Sequence, residues 1–281
     1  MNTKLLIIIL FFFLSNIKAQ SHRFIYEYKF VPDSTKTDSI FIENTRLEIF
    51  KDHSEFLSDL TAKRDSAIAS AIEKNQSQAN VNLREGIFKN KIYKSKKLNY
   101  SLEFIGIQPF KVIQNEKLTW KLLNETKKIQ GYNCQKAILN YGKRKWEAWF
   151  TQEIPIQDGP HIFENLPGLI IQINDTRKQH SFLLIANYKT LNIQTNIIEK
   201  RFFSAIKINR DQFNKKWNTF AKNPIGGTEQ FMIMNPGLLS GESFDANGNK
   251  IDMTQTKRDE QNYAEKMLKQ NNNYLDLELY K

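Results

Sequence analysis

"RFIYEYKFV", residues 23–31, decides the fold: Phe24, Tyr26, Tyr28 and Phe30 alternate with Ile25, Glu27 and Lys29. A period of two is what a sheet with one covered face imposes on its strands. Similar runs follow at short intervals: "RLEIF" (46–50), "IFKNKIYK" (87–94), "SLEFIGI" (101–107), "LTWKLL" (118–123), "CQKAILNY" (134–141), "KWEAWF" (145–150), "GLIIQI" (168–173) and "HSFLLIANY" (180–188). Turn residues separate them, which favours antiparallel pairing over a βαβ arrangement. The expected fold is mainly β: a single curved antiparallel sheet or half-barrel with a few peripheral helices. Gly142 in "YGKRKW" marks a hairpin, and Asn247-Gly248 in "FDANGNKID" marks another.

Three segments read as helices. Residues 58–78, "SDLTAKRDSAIASAIEKNQSQ", place Leu60, Ile68 and Ile72 on a weak apolar stripe, as in an exposed excursion across the sheet. Residues 209–222 begin at an Asn209 cap, gather Phe213, Trp217 and Phe220 on one face, and stop before Pro224. Residues 258–270 form a polar helix, and "NNNYLDLELYK" ends the sequence as a short strand or a tail. Neither a repeat nor a composition shift divides residues 20–281, which read as one β-rich domain.

The first twenty residues, "MNTKLLIIILFFFLSNIKAQ", have the layout of a secretory signal: Lys4, an apolar run from Leu5 to Leu14, and a cleavage site after Ala19. The run is about half of the roughly 20 residues a membrane span needs. No Cys follows the cut to carry a lipid anchor, and no later segment is apolar enough to span a bilayer. A periplasmic or secreted protein is expected. The formal charge of +11 falls to +9 once Lys4 and Lys18 are removed. For an exported chain that excess points to a solvated surface or an anionic envelope surface, not to nucleic acid. Cys134 is the one cysteine, so no intramolecular disulfide forms; its place in an alternating run makes it a half-buried strand thiol.

Catalytic signatures are missing: no nucleophile elbow, no His-Glu-x-x-His, no phosphate loop and no dinucleotide fingerprint. No cofactor is implied. The nearest approach to a metal or hydrolytic site is Asp158, His161 and Glu164, which could converge on a turn, with His180 joining if its strand runs alongside. Padding of a loop is the commoner use of such residues. Trp146 and Trp149 fall on opposite faces of one strand, so one points to the core and the other outward or into a groove.

"GYNCQKA", then "WEAWFTQEIP", then "GPHIF", then "LPGLI" occur in this order, and the series resembles the signature of the GLPGLI family, exported proteins typical of Bacteroidetes. Asn165 stands where the naming motif has Gly, and Asn tolerates left-handed backbone angles. The resemblance implies an envelope setting and a β-rich domain, and brings no reaction with it. Pro155, Pro160 and Pro167 make 154–167 a semi-rigid crossing loop, which Gly168 ends in a turn before the strand begins. An apolar ligand or an outer-membrane protein is the expected partner. Trp149, Phe163, Leu166, Pro167, Gly168 and Leu169 are the candidate ligand-binding residues, with Phe163, Leu166 and Leu169 expected at the mouth of an apolar cavity.

Overall fold

A computed structural model describes residues 21–78, 81–190, 204–227, 230 and 253–281. The signal segment and the Asn247-Gly248 turn lie outside the described residues. Among the described residues twelve strands form one open sheet: β1 (Ser21–Phe30), β2 (Phe41–Ile49), β3 (His53–Ser58), β4 (Lys91–Ser95), β5 (Tyr100–Ile105), β6 (Gln108–Ile113), β7 (Lys121–Ile129), β8 (Tyr132–Tyr141), β9 (Arg144–Thr151), β10 (Leu169–Asp175), β11 (His180–Thr190) and β12 (Ile206–Ile208). Their order across the sheet is β12-β6-β5-β4-β3-β2-β1-β11-β10-β9-β8-β7. All neighbours are antiparallel except β12 and β6. Three helices accompany the sheet among the described residues: α1 (Asp59–Glu73), α2 (Arg210–Lys222) and α3 (Met253–Gln270). No helix of the described residues is long and apolar enough to cross a membrane.

Two meanders, β1 to β6 and β7 to β11, are joined where β1 pairs with β11. The register places Phe24 beside Leu47, Leu47 beside Phe56 and Phe56 beside Ile92. On the other side it places Tyr28 beside Phe182, Phe182 beside Ile173 and Ile173 beside Ala148. One face of the sheet thereby gathers a core in which Phe24, Tyr26, Phe56, Trp146 and Phe182 are closed to solvent.

The β8–β9 hairpin turns on Gly142 and Lys143, both at positive φ (59° and 58°), with Tyr141 opposite Arg144. Two consecutive left-handed residues match the twist of the flanking strands. Cys134 is buried in β8, and burial pushes its thiol up to about 11.

The opposite face is covered in part by α1, whose buried residues are Thr61, Ala62, Asp65, Ile68 and Ala71. The expected stripe is only one-third right: Ile68 is buried, whereas Leu60 and Ile72 are exposed. The reason is the surface beneath, which is charged. Arg46 of β2 bonds Asp59 at 2.5 Å, and Lys91 of β4 bonds Asp65 at 2.5 Å. Small and polar residues fit that layer better than leucine.

Strands β3, β6 and β12 have no counterpart in the alternation. β3 buries all six of its residues, including His53, Ser54 and Glu55; β6 carries Pro109, and β12 has three residues. β7 begins at Lys121, later than "LTWKLL" suggests. α2 follows its expected limits, with Asn209 and Gln212 exchanging side-chain-to-backbone bonds of 2.8 and 2.9 Å. The final "NNNYLDLELYK" is a tail with no strand in it.

Candidate functional site

The crossing loop is fixed from below by Lys94 of β4. Its ammonium pairs with Asp158 and donates to the carbonyls of Gly159 (2.8 Å) and His161 (2.9 Å), which uses all three of its protons. Ser54 Oγ donates to the same Asp158 carboxylate at 2.5 Å, and the Gly159 amide does so at 2.7 Å. Farther on, Asn99 donates to the Glu164 carboxylate at 2.7 Å and Trp120 Nε1 to the Glu164 carbonyl at 2.9 Å. Burial raises the Glu164 carboxyl, with the Lys94 charge opposing. His161 and Asn165 both sit at positive φ, 54° and 71°, so the Asn in place of the motif's Gly adopts the angle that Gly would supply.

Gly168 closes the loop. Its φ is 149°, and a Cβ there would lie 2.0 Å from the Thr151 carbonyl oxygen, so only glycine lets β10 start against the end of β9. Ile171 is then an extra residue: Ile170 pairs with Phe150 and Gln172 with Trp149. This bulge is why Leu169, Ile170 and Ile171 are all buried in succession.

These facts locate the sequence candidates. Phe163, Leu166 and Leu169 are core residues with at most 1% exposure; the Phe163 ring lies 4.7 Å from that of Trp146. Gly168 is buried and Pro167 is exposed. Trp149 is mostly buried, with the Lys127 amine 4.1 Å from its ring centre. None of these six lines the cavity beneath the C-terminal tail. Asp158, His161 and Glu164 do not make a metal site either. Among the described residues no three His, Cys, Asp or Glu side chains form a group able to hold a metal; Asp158 is bound to Lys94 and Ser54, and Glu164 to Asn99.

The cavity, of about 560 Å³, lies on the core face of the sheet under the C-terminal tail. Tyr28, Phe30, Glu103 and His180 reach it from the strands, Phe88 from the segment before β4, Trp217 from α2 and Met267 from α3. Tyr274, Leu275, Leu279 and Tyr280 of the tail cover it. The tail is held by charge and by backbone bonds. Arg144 donates to the Tyr274 carbonyl (2.8 Å) and to Asn273 Oδ1 (2.5 Å), while Asn273 donates to the Val31 carbonyl at 2.7 Å. Asp276 accepts from Arg210 at 2.6 Å and from Tyr141 at 2.7 Å. Burial pushes its carboxyl up, but these two partners outweigh burial and hold it below the usual range.

Two histidines of the cavity are neutral. Burial, with the nearby Lys94 and Arg210 charges adding to it against Asp276, lowers His161 to about 3. Burial, the Arg144 charge and the neighbouring His161 ring hold His180 well below its ordinary value, with the Asn273 backbone opposing. Tyr28 OH shares a 2.7 Å hydrogen bond with His180 Nδ1. Among the described residues, His161 Nδ1 and His180 Nε2 close no hydrogen bond of normal geometry. Glu103 is bonded by Tyr280 and by Asn90 (2.8 Å), and burial raises it to about 7. Of the sequence candidates, the cavity contains His161 and its suggested companion His180. Glu103 and the tail give no signal in sequence, since their meeting spans the length of the chain.

No curated protein matches the chain. Among solved structures, PNGF-II in its P21 crystal form superposes with a TM-score of 0.46 at 16% identity, covering 68% of this chain and 32% of that one. A domain from Vibrio parahaemolyticus, whose description names outer membrane lipoprotein sorting, superposes at 0.30 and 6% identity, covering 66% of this chain and 92% of that one. The chain thus overlaps about a third of the length of PNGF-II. Residues 61–206 match the family model described as "N-glycanase peptide, N-terminal domain". That is just over half of the sequence, from α1 to the start of β12, and the chain belongs to this family.

Proposed function

We propose that this chain is an exported cell-envelope protein that binds an apolar ligand without transforming it, in the cavity beneath the C-terminal tail. The observation that carries the reading is the lining of that cavity: Tyr28, Phe30, Phe88, Trp217, Tyr274 and Leu279 surround about 560 Å³, a volume and an apolar character suited to small-molecule sites. Export is supported by the charged, apolar and small-residue order of residues 1–19. The GLPGLI resemblance, carried by the ordered motifs from Gly131 to Ile170, belongs to the same proposal and supports the envelope setting.

Native mass spectrometry of the protein purified from a cell envelope tests this reading. A co-purified apolar mass that disappears when Leu279→Trp fills the cavity supports it. A bare mass, with no apolar probe taken up on titration, overturns it. The family match motivates a second reading, in which the chain meets N-linked glycopeptides, because the family's description names an N-glycanase. Retention of the chain on an immobilised N-glycopeptide, at a level unchanged by Leu279→Trp, would favour that alternative.

A further inference from the structure

We infer that the ligand of this cavity is an uncharged amphiphile, an apolar body ending in a hydroxyl, ester or amide, and that anionic lipids are rejected. The inference rests on the cavity being a ligand site and adds the chemistry of the ligand's polar end.

The charges of the lining carry the argument. Of the described residues that line the cavity, one bears an amine, Lys89, and three bear carboxyls: Glu85, Glu103 and Asp276. Lys89 is paired with Glu85 at 3.2 Å and is largely exposed to water. Asp276 is bound by Arg210 and Tyr141, and Glu103 by Tyr280 and Asn90. An entering carboxylate or phosphate therefore finds no uncommitted cation. An entering ammonium finds only carboxyls that already have partners. Burying either charge unpaired is costly, whereas a hydroxyl or amide loses little if it is given hydrogen bonds.

The lining offers such bonds. His161 and His180 both belong to it, each with a buried ring nitrogen that closes no hydrogen bond of normal geometry among the described residues. A neutral imidazole presents one donor and one acceptor, so the pair suits a hydroxyl, which both gives and takes. The cationic surface of the protein does not extend into the cavity, which separates the chemistry of its outside from that of its interior.

The test is a titration of the full chain at pH 8 with three probes of equal length, 1-octanol, octanoate and octylamine, followed by tryptophan fluorescence and calorimetry. Octanol should bind at least about tenfold more tightly than either ion, a gap of roughly 1.4 kcal/mol. Met267→Lys, at a partly exposed lining position, should bring octanoate up toward octanol by adding the missing cation. Octanoate binding the wild type as tightly as octanol overturns the inference and leaves the cavity as a ligand site. Failure of all three probes overturns the ligand site itself. A Met267→Lys protein that binds octanol but gains nothing for octanoate also counts against the charge argument.

Discussion

The phenol of Tyr26 donates to the carbonyl oxygen of Ile170 across 2.7 Å, linking the strand at the middle of the sheet to the bulge two strands away. The bulge interrupts the ladder between β9 and β10, and Tyr26, closed to solvent, supplies a donor beside that interruption. Tyr26→Phe should keep the packing and leave a buried carbonyl short of a partner. The expected loss is about 1–3 kcal/mol, read as a lower urea midpoint with an unchanged m-value.

Two glycines with positive φ separate crowding from backbone strain. A Cβ at Gly168 meets the Thr151 carbonyl at 2.0 Å, whereas one at Gly131 (φ 87°) meets nothing within 4 Å. Gly131→Ala should cost about 1 kcal/mol, from its left-handed angle alone. Gly168→Ala should cost roughly 3 kcal/mol or more, since β10 must also move. Equal thermal shifts for the two variants would refute the account of why Pro167-Gly168 precedes the strand.

Lys94→Met removes the cation that holds the crossing loop and leaves Asp158 buried without its charge partner. Breaking one side of a buried pair costs about 3–5 kcal/mol. Lys94→Met combined with Asp158→Asn should cost less than the sum of the two single changes. A double-mutant cycle by chemical denaturation measures the coupling, and strict additivity would mean that the pair is not coupled.

Glu103 makes stability fall as pH rises. Its carboxyl holds a proton in the folded protein up to about 7, against an ordinary value of 4.5, so between those values the folded state binds more protons than the unfolded one. Stability drops across that window by about 3 kcal/mol. Other groups titrate there too, so the quantity to measure is the difference between wild type and Glu103→Gln. That difference should grow from pH 4.5 to pH 7 in favour of the glutamine variant and stay level above.

His161 works in the opposite sense. The folded ring stays neutral down to about 3, against an ordinary 6.5, so the unfolded chain takes up the proton first and stability is lost as pH falls through that window. The loss amounts to about 5 kcal/mol at its acid end. His161→Phe, whose ring would sit among Phe88 and Phe163, should flatten the acid limb of a Tm-against-pH curve. An unchanged limb would show that His161 is not buried as described.

Local patterns were legible in the sequence and distant meetings were not. The alternation around Tyr26 and Tyr28, the Gly142 hairpin and the Asn209 cap each depend on neighbours within a few residues, and each stands where it was read. β3 was illegible because its buried partners are charged, so His53 and Glu55 imitate a turn. Phe163, Leu166 and Leu169 read in the sequence as a cavity mouth, yet the bulge at Ile171 and the Lys94 clamp pull them into the core. The cavity itself is formed by distant pieces of chain, among them β1, β5, the segment before β4, α2, α3 and the last eleven residues. Its signals in the sequence are His161, weighed there for a metal, and His180, weighed only as its companion.

The position of β1 sets the order in which the sheet can be completed. Phe30 pairs with His180, about 150 residues farther along, while β2 to β6 follow β1 directly. Delivered N-terminus first, the chain leaves one edge of β1 waiting for its partner until the intervening residues have emerged. During that time Phe24, Tyr26, Tyr28 and Phe30 lie beside an open row of backbone donors and acceptors, the arrangement most apt to pair with the wrong chain. A chaperone that binds extended aromatic segments would meet this protein first at its N-terminal strand. The association should end when β11 arrives.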